Sequence, residues 1–271
     1  MVTIAVTGPN GRLGSELVNR GCIPIEADVT DFYALNQAIL KIQPDCIIHC
    51  AAKTNVDACE TQAMEAMKVN VGGTYGLSQV YNGKIVYIST DYVFDGTSGP
   101  YAEDAKPCPI SIYGWSKLGG EIVLVNKGNP HLIIRTTCLY DRHSKNFVTS
   151  IAAKLRVGEP VKVPASLYGN PTYVPHLAEG ILAAVEKGAR GILHIVGNEI
   201  LSRFELAWKI GEVLNVNNND LVFAGLPYGK APRPLKAGLT TNLAKSLNIP
   251  LYSTLEGLMD ALETEKTPAY N

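Results

Sequence analysis

The sequence predicts an α/β protein built on a doubly wound parallel sheet, with a smaller lobe in its C-terminal half. Three observations lead to this class. Short apolar runs of strand length recur along the chain, longer segments with helical spacing separate them, and the first run ends in a glycine-rich turn. Runs that are apolar on both faces are typical of parallel strands, which need crossover helices on both sides of the sheet. A chain of 271 residues is long enough to bury a core of this kind.

The elements follow in a regular order. The predicted strands are VTIAVTG, CIIHCAA, KIVYIST, HLIIRTT and GILHIVG. Helices are expected around residues 16–19, 32–42, 59–80 and 117–126. The rhythm changes after Tyr140 and again after Gly197, where Asn and Pro become frequent. The closing TEKTPAYN is expected to be a frayed end.

Composition excludes several classes of protein. The formal net charge is -1 and there is no long basic run, so neither nucleic acid nor an anionic membrane is an expected partner. There is no leader-like segment before MVTIAVTG and no apolar run of about 18 residues, so we expect an unprocessed soluble protein. The six cysteines show neither metal-finger nor disulfide spacing, which predicts reduced thiols in the cytoplasm.

The turn after the first strand is the first candidate for a ligand site. TGPNGRLG places Gly8, Gly11 and Gly14 at three-residue spacing before a helix. Because glycines lack side chains, backbone N–H groups there can approach a pyrophosphate at the positive end of the helix dipole. This position favours a Rossmann-type dinucleotide site over a plain tight turn. We therefore predict a dinucleotide-binding Rossmann domain over 1–140 and 165–197, and a smaller substrate-binding lobe over 141–164 and 198–271.

The next segment, GCIPIEADVTD, is short. Glu26 is therefore a poor candidate for holding the adenosine ribose, and the choice between NADH and NADPH stays open. Asp28 is better placed to accept a hydrogen bond from the adenine amine, with Val29 packing on the ring. The alternative is that Asp28 or Thr30 only caps the following helix.

A third pattern, YGWSK, places Tyr113 and Lys117 on one face of a helix. A phenol with its usual pKa near ~10 is a poor acid or base at neutral pH, and a nearby ammonium lowers that pKa. Lys117 can also hold the nicotinamide ribose. The pattern alone is common by chance. Combined with the glycine loop and the hydroxyls of YIST, however, it predicts that Thr90 and Tyr113 converge where parallel strands end.

These features resemble the extended short-chain dehydrogenase/reductase superfamily. STDYVFDG, PYAED and IYGWSKLGGE, with AAKTNVDACE, NF, YGNPTYV and RP, are similar to the dTDP-4-dehydrorhamnose reductase family, up to about residue 240. The resemblance implies a catalytic triad of Thr90, Tyr113 and Lys117, with Ser89 the neighbour most easily confused with Thr90. It implies substrate contacts from Asp91 and Tyr92. The implied cofactor contacts are Gly11, Arg12, Leu13, Ala51, Ala52 and Lys53. For the last three, the alternative is a strand that is merely buried.

The chain also departs from the family pattern. Cys138 stands where a tryptophan commonly contacts the sugar, so either the pocket is wider or Trp115 or Tyr140 covers the ring. Arg233 matches a basic position that can pair with a diphosphate, and a solvated surface arginine is the alternative. Some members hold a metal between subunits. Glu16 matches one such position, but Pro175 stands where a carboxylate is needed, so we predict no metal.

The function implied by the resemblance is reduction, by NADPH or NADH, of the C4 keto group of a dTDP-4-keto-6-deoxy sugar. Tyr113 would donate the proton, and Thr90 would hydrogen-bond the carbonyl oxygen. A monomer or a homodimer is expected. One rival is a nucleotide-sugar epimerase or dehydratase of the same fold. The other is a non-catalytic regulatory subunit resembling the β subunit of methionine adenosyltransferase.

Overall fold

A six-stranded parallel sheet forms the centre of the computed structural model, which describes residues 2–128, 130–226 and 229–262. Its strands are β1 (Ile4–Thr7), β2 (Ile23–Ile25), β3 (Cys46–His49), β4 (Lys84–Thr90), β5 (His131–Thr136) and β10 (Gly191–His194). They lie side by side in the order β10-β5-β4-β3-β1-β2. The five predicted strands all lie in this sheet, and the doubly wound α/β fold is confirmed.

Helices connect the strands and surround the sheet. They are α1 (Arg12–Asn19), α2 (Phe32–Ile42), α3 (Val56–Thr61), α4 (Ala63–Met67), α5 (Gly73–Val80), α6 (Ile112–Lys127), α7 (Phe147–Arg156), α8 (Val174–Glu186), α9 (Arg203–Val213), α10 (Asn218–Leu221), α11 (Asn242–Ser246) and α12 (Thr254–Leu262). A π-helical segment, Lys68–Gly72, joins α4 to α5, and a 3₁₀ turn, Asp91–Val93, follows β4. Within the described ranges, no helix has both the length and the apolar character needed to cross a membrane.

Both faces of the sheet are buried, as near-continuous apolar strands require. In β3, Ile47 points into the core beneath α2 and α5, whereas Ile48 points into the core beneath α1 and α8. Both side chains are fully buried. Each contributes roughly 1.5–3 kcal/mol relative to an exposed side chain. Packing on both faces therefore fixes the position of the strand ends, where the candidate site is formed.

A separate core lies in the C-terminal half. The remaining short strands are β6 (Leu139–Tyr140), β7 (Val161–Pro164), β8 (Tyr168–Gly169), β9 (Thr172–Tyr173), β11 (Leu201–Ser202) and β12 (Val222–Gly225). Strand β7 pairs with β12 in parallel. Helices α7, α9 and α12 contribute buried side chains to the core around this pair. The TEKTPAYN segment, and with it residues 263–271 of the predicted lobe, lies outside the described residues.

Candidate active site

The glycine turn packs tightly under the start of α1. Gly8 has a φ of +66°, a left-handed conformation that favours glycine. Its carbonyl oxygen accepts a hydrogen bond from the Gly11 N–H at 3.1 Å. A methyl group on Gly14 would lie 2.0 Å from that same oxygen. The first turn of α1, whose N–H groups have no acceptor within the helix, is therefore held against the loop and borders a cleft of about 550 Å³.

The predicted cofactor residues around this turn take different places. Gly11, Arg12, Leu13 and Gly14 line the cleft. The Arg12 guanidinium reaches the second half of the chain, donating to the Ser144 hydroxyl at 2.7 Å and to the Lys145 carbonyl at 3.0 Å. The Arg12 side chain thus ties α1 to the segment before α7, and the predicted contact of its backbone with the cofactor stays a prediction.

Asp28 and Val29 lie outside the residues that line the cleft. Asp28 Oδ1 accepts hydrogen bonds from the Thr30 N–H at 2.8 Å and from the Thr30 hydroxyl at 2.9 Å. These bonds, led by the backbone one, lower the pKa of the Asp28 carboxyl. Val29 is buried, with a methyl carbon 2.7 Å from where a Cβ on Gly73 would stand. The helix that follows is capped by Asp31, whose side chain accepts from the Ala34 N–H at 3.0 Å, so the alternative that Asp28 or Thr30 caps it was wrong. The adenine contact stays a prediction.

The segment after β3 is held by an asparagine that the sequence analysis missed. The Lys53 N–H donates to Asn70 Oδ1 at 2.7 Å, and Asn70 Nδ2 donates to the Lys53 carbonyl at 3.0 Å and to the Ser116 hydroxyl at 2.8 Å. Asn70 belongs to the π-helical segment, so no regular periodicity marks it. Of the three cofactor residues predicted in this segment, Ala52 lines the cleft. Ala51 donates its N–H to the Thr7 hydroxyl at 3.3 Å. The Lys53 ammonium donates to the Gln62 side-chain oxygen at 2.6 Å.

Thr90, Tyr113 and Lys117 meet at the cleft, as predicted. Strand β4 ends at Thr90, and α6 begins one residue after Ser111, whose hydroxyl accepts from the Gly114 N–H at 3.1 Å. This cap sets the helix so that Tyr113 and Lys117, one turn apart, both line the cleft. The Thr90 side chain also acts on the Tyr113 phenol, whose pKa it lowers against the larger effect of burial.

The electrostatics of the pair differ from the expectation. Burial raises the pKa of the Tyr113 phenol, against the predicted lowering by Lys117. The Lys117 side chain is 2% exposed and its Nζ lies 4.0 Å from the centre of the Tyr87 ring. Burial lowers the pKa of Lys117 to about 7, opposed by the negative charge of Glu121. Desolvation is the largest effect on the Tyr113 phenol, so the predicted lowering of its pKa was wrong.

Ser89 is distinguished from Thr90 by its partners. Its hydroxyl donates to Glu121 Oε1 at 2.5 Å. The same carboxylate forms a two-point ion pair with Arg135, at 3.0 Å and 2.7 Å, and both side chains are buried. Ser89 thus belongs to the scaffold that joins α6 to β4 and β5, whereas Thr90 faces Tyr113.

Asp91 and Tyr92 line the cleft beside the triad. Asp91 is 3% exposed and accepts from the Thr90 hydroxyl at 3.1 Å and the Thr137 hydroxyl at 2.7 Å. Burial raises the pKa of the Asp91 carboxyl to about 6, even though both hydroxyls lower it. The Tyr92 ring meets the Tyr113 ring edge-on, with centroids 5.5 Å apart.

Two residues that were not predicted also contribute to the cleft. Arg203, the first residue of α9, and Tyr168 both line it. Arg203 also lies over the Phe147 ring, 5.1 Å from its centre. SRFE is a recognisable capping signature that places Arg203 in the first turn of a helix, but nothing in it says that this turn faces the cleft.

Arg233, Trp115 and Tyr140 are not among the residues that line the cleft. Arg233 forms a two-point ion pair with Asp57, at 2.8 Å and 3.3 Å. Trp115 is half exposed on α6, and Tyr140 is 1% exposed and packs on Tyr173 in the C-terminal core. Neither aromatic residue lines the cleft, so the expectation that Trp115 or Tyr140 covers the sugar ring was wrong, and the wider pocket stays a prediction. Cys138 itself lines the cleft, and its contact with the substrate stays a prediction.

The cleft suits a nicotinamide dinucleotide. The glycine turn leaves no room for side chains between β1 and α1, which allows backbone N–H groups to reach a phosphate. The Thr136 hydroxyl at the end of β5 borders the cleft, is buried and has no hydrogen-bond partner among the described residues. A polar ligand group would satisfy it. For metals the finding is different: no group of three His, Cys, Asp or Glu within the described ranges is arranged to bind an ion.

The parallel sheet, the glycine turn and the Thr90, Tyr113 and Lys117 group define the extended short-chain dehydrogenase/reductase class. A family model described as "RmlD substrate binding domain" matches residues 2–266. The chain therefore belongs to this family, that of the dTDP-4-dehydrorhamnose reductases, and the predicted family is confirmed.

Relatives with known names support the assignment. The chain is 37% identical over 203 residues to a dTDP-4-keto-6-deoxy-D-glucose reductase of Streptomyces niveus, covering 70% of each protein. It is 31% identical to a dTDP-4-dehydrorhamnose reductase of Bacillus anthracis solved in complex with NADP, with a TM-score of 0.86 and coverage of 95% of this chain and 97% of that one. It is also 30% identical over 235 residues to methionine adenosyltransferase 2 subunit beta of Xenopus laevis, covering 82% of this chain and 70% of that protein.

Proposed function

We propose that this protein reduces the C4 keto group of a dTDP-4-keto-6-deoxy sugar with NADPH or NADH, with dTDP-4-dehydro-β-L-rhamnose as the substrate. The observation that carries the proposal is the convergence of Thr90, Tyr113 and Lys117 in the same cleft as the glycine turn. The names of the Streptomyces and Bacillus relatives support the reaction and the type of cofactor.

Each side chain has a distinct part in the proposed mechanism. The bound nicotinamide supplies the hydride. Tyr113 keeps its proton at neutral pH because burial raises its pKa, so it is ready to donate to the oxygen of the carbonyl being reduced. The Thr90 hydroxyl offers a fixed donor to the same oxygen, and fixed donors stabilise charge as it develops. Lys117, as an ammonium, would hold the nicotinamide ribose.

Arg203 is the better candidate than Arg233 for the substrate diphosphate. It borders the cleft, and a guanidinium binds phosphate oxygens through two parallel hydrogen bonds. Arg233 already pairs with a carboxylate at two points. Tyr168 lines the same cleft and offers a flat aromatic face.

The placement of Arg203 also indicates which part of the chain would bind each ligand. The predicted Rossmann domain, 1–140 and 165–197, would bind the cofactor, and the described part of the predicted lobe, which contributes Arg203, would bind the substrate. All six cysteines are free thiols, in accord with the proposed cytoplasmic location. We propose a monomer or a homodimer.

The test is oxidation of NADH and NADPH with freshly prepared dTDP-4-dehydro-β-L-rhamnose, comparing the wild type with Tyr113→Phe. Phenylalanine keeps the ring but removes the proton donor, so we expect turnover to fall by on the order of 10²-fold or more while cofactor binding is kept. Turnover by Tyr113→Phe at the wild-type rate would contradict the assignment of the acid.

A regulatory role is the second candidate, because methionine adenosyltransferase 2 subunit beta matches 82% of this chain. The same assay separates the two. If the wild type binds NADPH but reduces no dTDP-4-keto sugar, the reductase proposal fails and the regulatory one gains support.

A further inference from the structure

The ammonium of Lys117 lies over the face of a buried tyrosine, Tyr87, that the proposed mechanism does not use. Tyr87 stands in the middle of β4 and is fully buried, and the centre of its ring is 4.0 Å from Lys117 Nζ. The Tyr87 hydroxyl donates to the Lys117 carbonyl at 3.3 Å. One side chain therefore contacts both the backbone and the charged group of Lys117.

The packing of α6 against β4 fixes the place of this ring. A methyl group on Gly120 would lie 2.2 Å from the Tyr87 hydroxyl oxygen, so the missing side chain there allows the phenol to pack directly against the helix. The buried His49 ring also packs beside the Tyr87 ring, with the two ring centres 5.7 Å apart. Tyr87 is thus held between α6 and the end of β3, with its face towards Lys117.

The other groups around the Lys117 ammonium offer it little negative charge. Glu121 raises the pKa of Lys117, but its carboxylate is also held in the two-point ion pair with Arg135. Burial raises the pKa of the Cys50 thiol to about 12, so this thiol is neutral at neutral pH. Burial lowers the pKa of His49 to about 3, and the Lys117 charge acts in the same direction, so the imidazole is neutral as well.

We propose that Tyr87 is a positioning residue, whose ring face keeps Lys117 charged and in place at the cleft, an inference that rests on the proposed function. The negative face of an aromatic ring attracts a cation most strongly where water is excluded, and Lys117 is 2% exposed. Burial raises the pKa of the Tyr87 phenol far above its usual value, so the ring itself stays neutral. Tyr113, one turn before Lys117, is also neutral because burial raises its pKa.

The experiment measures the dissociation constant of NADPH across the pH range. Lys117 loses its ammonium as the pH rises through about 7, so affinity should fall in a step there that is absent in Lys117→Met. Tyr87→Leu removes the aromatic face, so we expect the midpoint of the step to move at least about one unit to lower pH. Tyr87→Phe keeps the face and loses only the hydroxyl, so its midpoint should equal that of the wild type.

Tyr81→Leu is the matched control for damage to the core. Tyr81 is buried in the same hydrophobic cluster as Tyr87, and its hydroxyl donates to the Pro44 carbonyl at 2.9 Å. This variant should lower the free energy of unfolding but leave the midpoint in place. If Tyr87→Leu does not fold, Tyr87→Phe is compared with a phenylalanine fluorinated on its ring at the same position. Fluorine keeps the shape but weakens the negative face, so the midpoint should again move to lower pH.

Three results would overturn the proposal. One is a midpoint in Tyr87→Leu equal to that in Tyr81→Leu, which would mean that Tyr87 only fills the core. The second is a midpoint that ring fluorination does not move. The third is a wild type without any step, because the Lys117 charge would then not act on the cofactor.

Turnover of dTDP-4-dehydro-β-L-rhamnose, measured in parallel, separates this proposal from the proposed function. A wild type that shows the step in NADPH affinity but never turns over would remove the reductase function. A lowered midpoint in Tyr87→Leu would support the ring contact in that case too, because the measurement needs only a bound cofactor.

Discussion

The ion pair between Asp57 and Arg233 joins distant parts of the chain, and its removal tests whether it holds them together. Asp57 accepts hydrogen bonds from the Lys230 and Ala231 N–H groups at 2.7 Å and 2.9 Å, as well as from Arg233. These residues run into Pro234, which lines the cleft. We expect Asp57→Asn to loosen this strap, residues 229–234, and with it one edge of the cleft.

The size of the effect follows from the carboxyl's pKa. The hydrogen bonds and charge of Arg233, with the two backbone N–H groups, lower the pKa of Asp57 from 3.8 to about 2. At 1.36 kcal/mol per pKa unit this corresponds to roughly 2 kcal/mol. Because the Asp57 side chain is 39% exposed, solvent screening reduces the estimate to about 1 kcal/mol. Since the pKa is lowered in the folded state, this stability is fully present above about pH 4 and is lost as the pH falls towards about 2.

The assay is a double-mutant cycle of Asp57→Asn and Arg233→Gln, followed by urea unfolding at pH 7. We expect a coupling free energy of about 1 kcal/mol. The control is the exposed pair of Lys154 and Glu159, with a cycle value of about 0.5 kcal/mol or less. A coupling for Asp57 and Arg233 no larger than the control would refute the reasoning. It would then follow that the strap is held by its other contacts.

Three further variants test the rest of the cleft. Gly14→Ala places a methyl group 2.0 Å from the Gly8 carbonyl oxygen, so it should displace the first turn of α1 and weaken NADPH binding at least about tenfold. Gly72→Ala is the control, because the atom nearest to its added methyl group lies at 4.0 Å and NADPH binding should not change. Equal NADPH dissociation constants of the two variants in fluorescence titrations would contradict this prediction. Lys117 loses its ammonium as the pH rises through about 7, so NADPH affinity should fall over that range in the wild type and show no such step in Lys117→Met. Arg203→Gln should raise the KM for the dTDP sugar about tenfold or more, with NADPH affinity unchanged. A larger rise of this KM in Arg233→Gln would show instead that Arg233 binds the substrate diphosphate.

The parts of the site that depend on local sequence were predictable. Tyr113 and Lys117 are four residues apart on one helix, and Gly8 and Gly14 belong to one turn, so their spacing alone brings them together. Thr90 could be placed because strands of a parallel sheet end at one edge.

The parts that depend on the path of the chain were not predictable in the same way. Arg203 reaches the cleft because α9 begins there, and Arg233 pairs with Asp57, 176 residues earlier in the sequence. Sequence reasoning could recognise an arginine that suits a diphosphate, but it had no means of choosing between two. The raised pKa of Tyr113 was not predictable for the same reason. It results from burial, which depends on how distant parts of the chain pack around the phenol.

The dipeptide of Ser89 and Thr90 shows how local and distant constraints meet. Successive side chains of a strand point to opposite sides, so the two hydroxyls cannot share one partner. Ser89 donates to the carboxylate of Glu121, which lies on the same helix as Tyr113, while Thr90 and Tyr113 both line the cleft. The strand end is thus joined to α6 by a buried hydrogen bond on one side and borders the cleft on the other. A shift of one residue along β4 would turn each side chain to the opposite face and take Thr90 away from its place beside Tyr113, which is why the register of this strand is as important to the proposed chemistry as the triad.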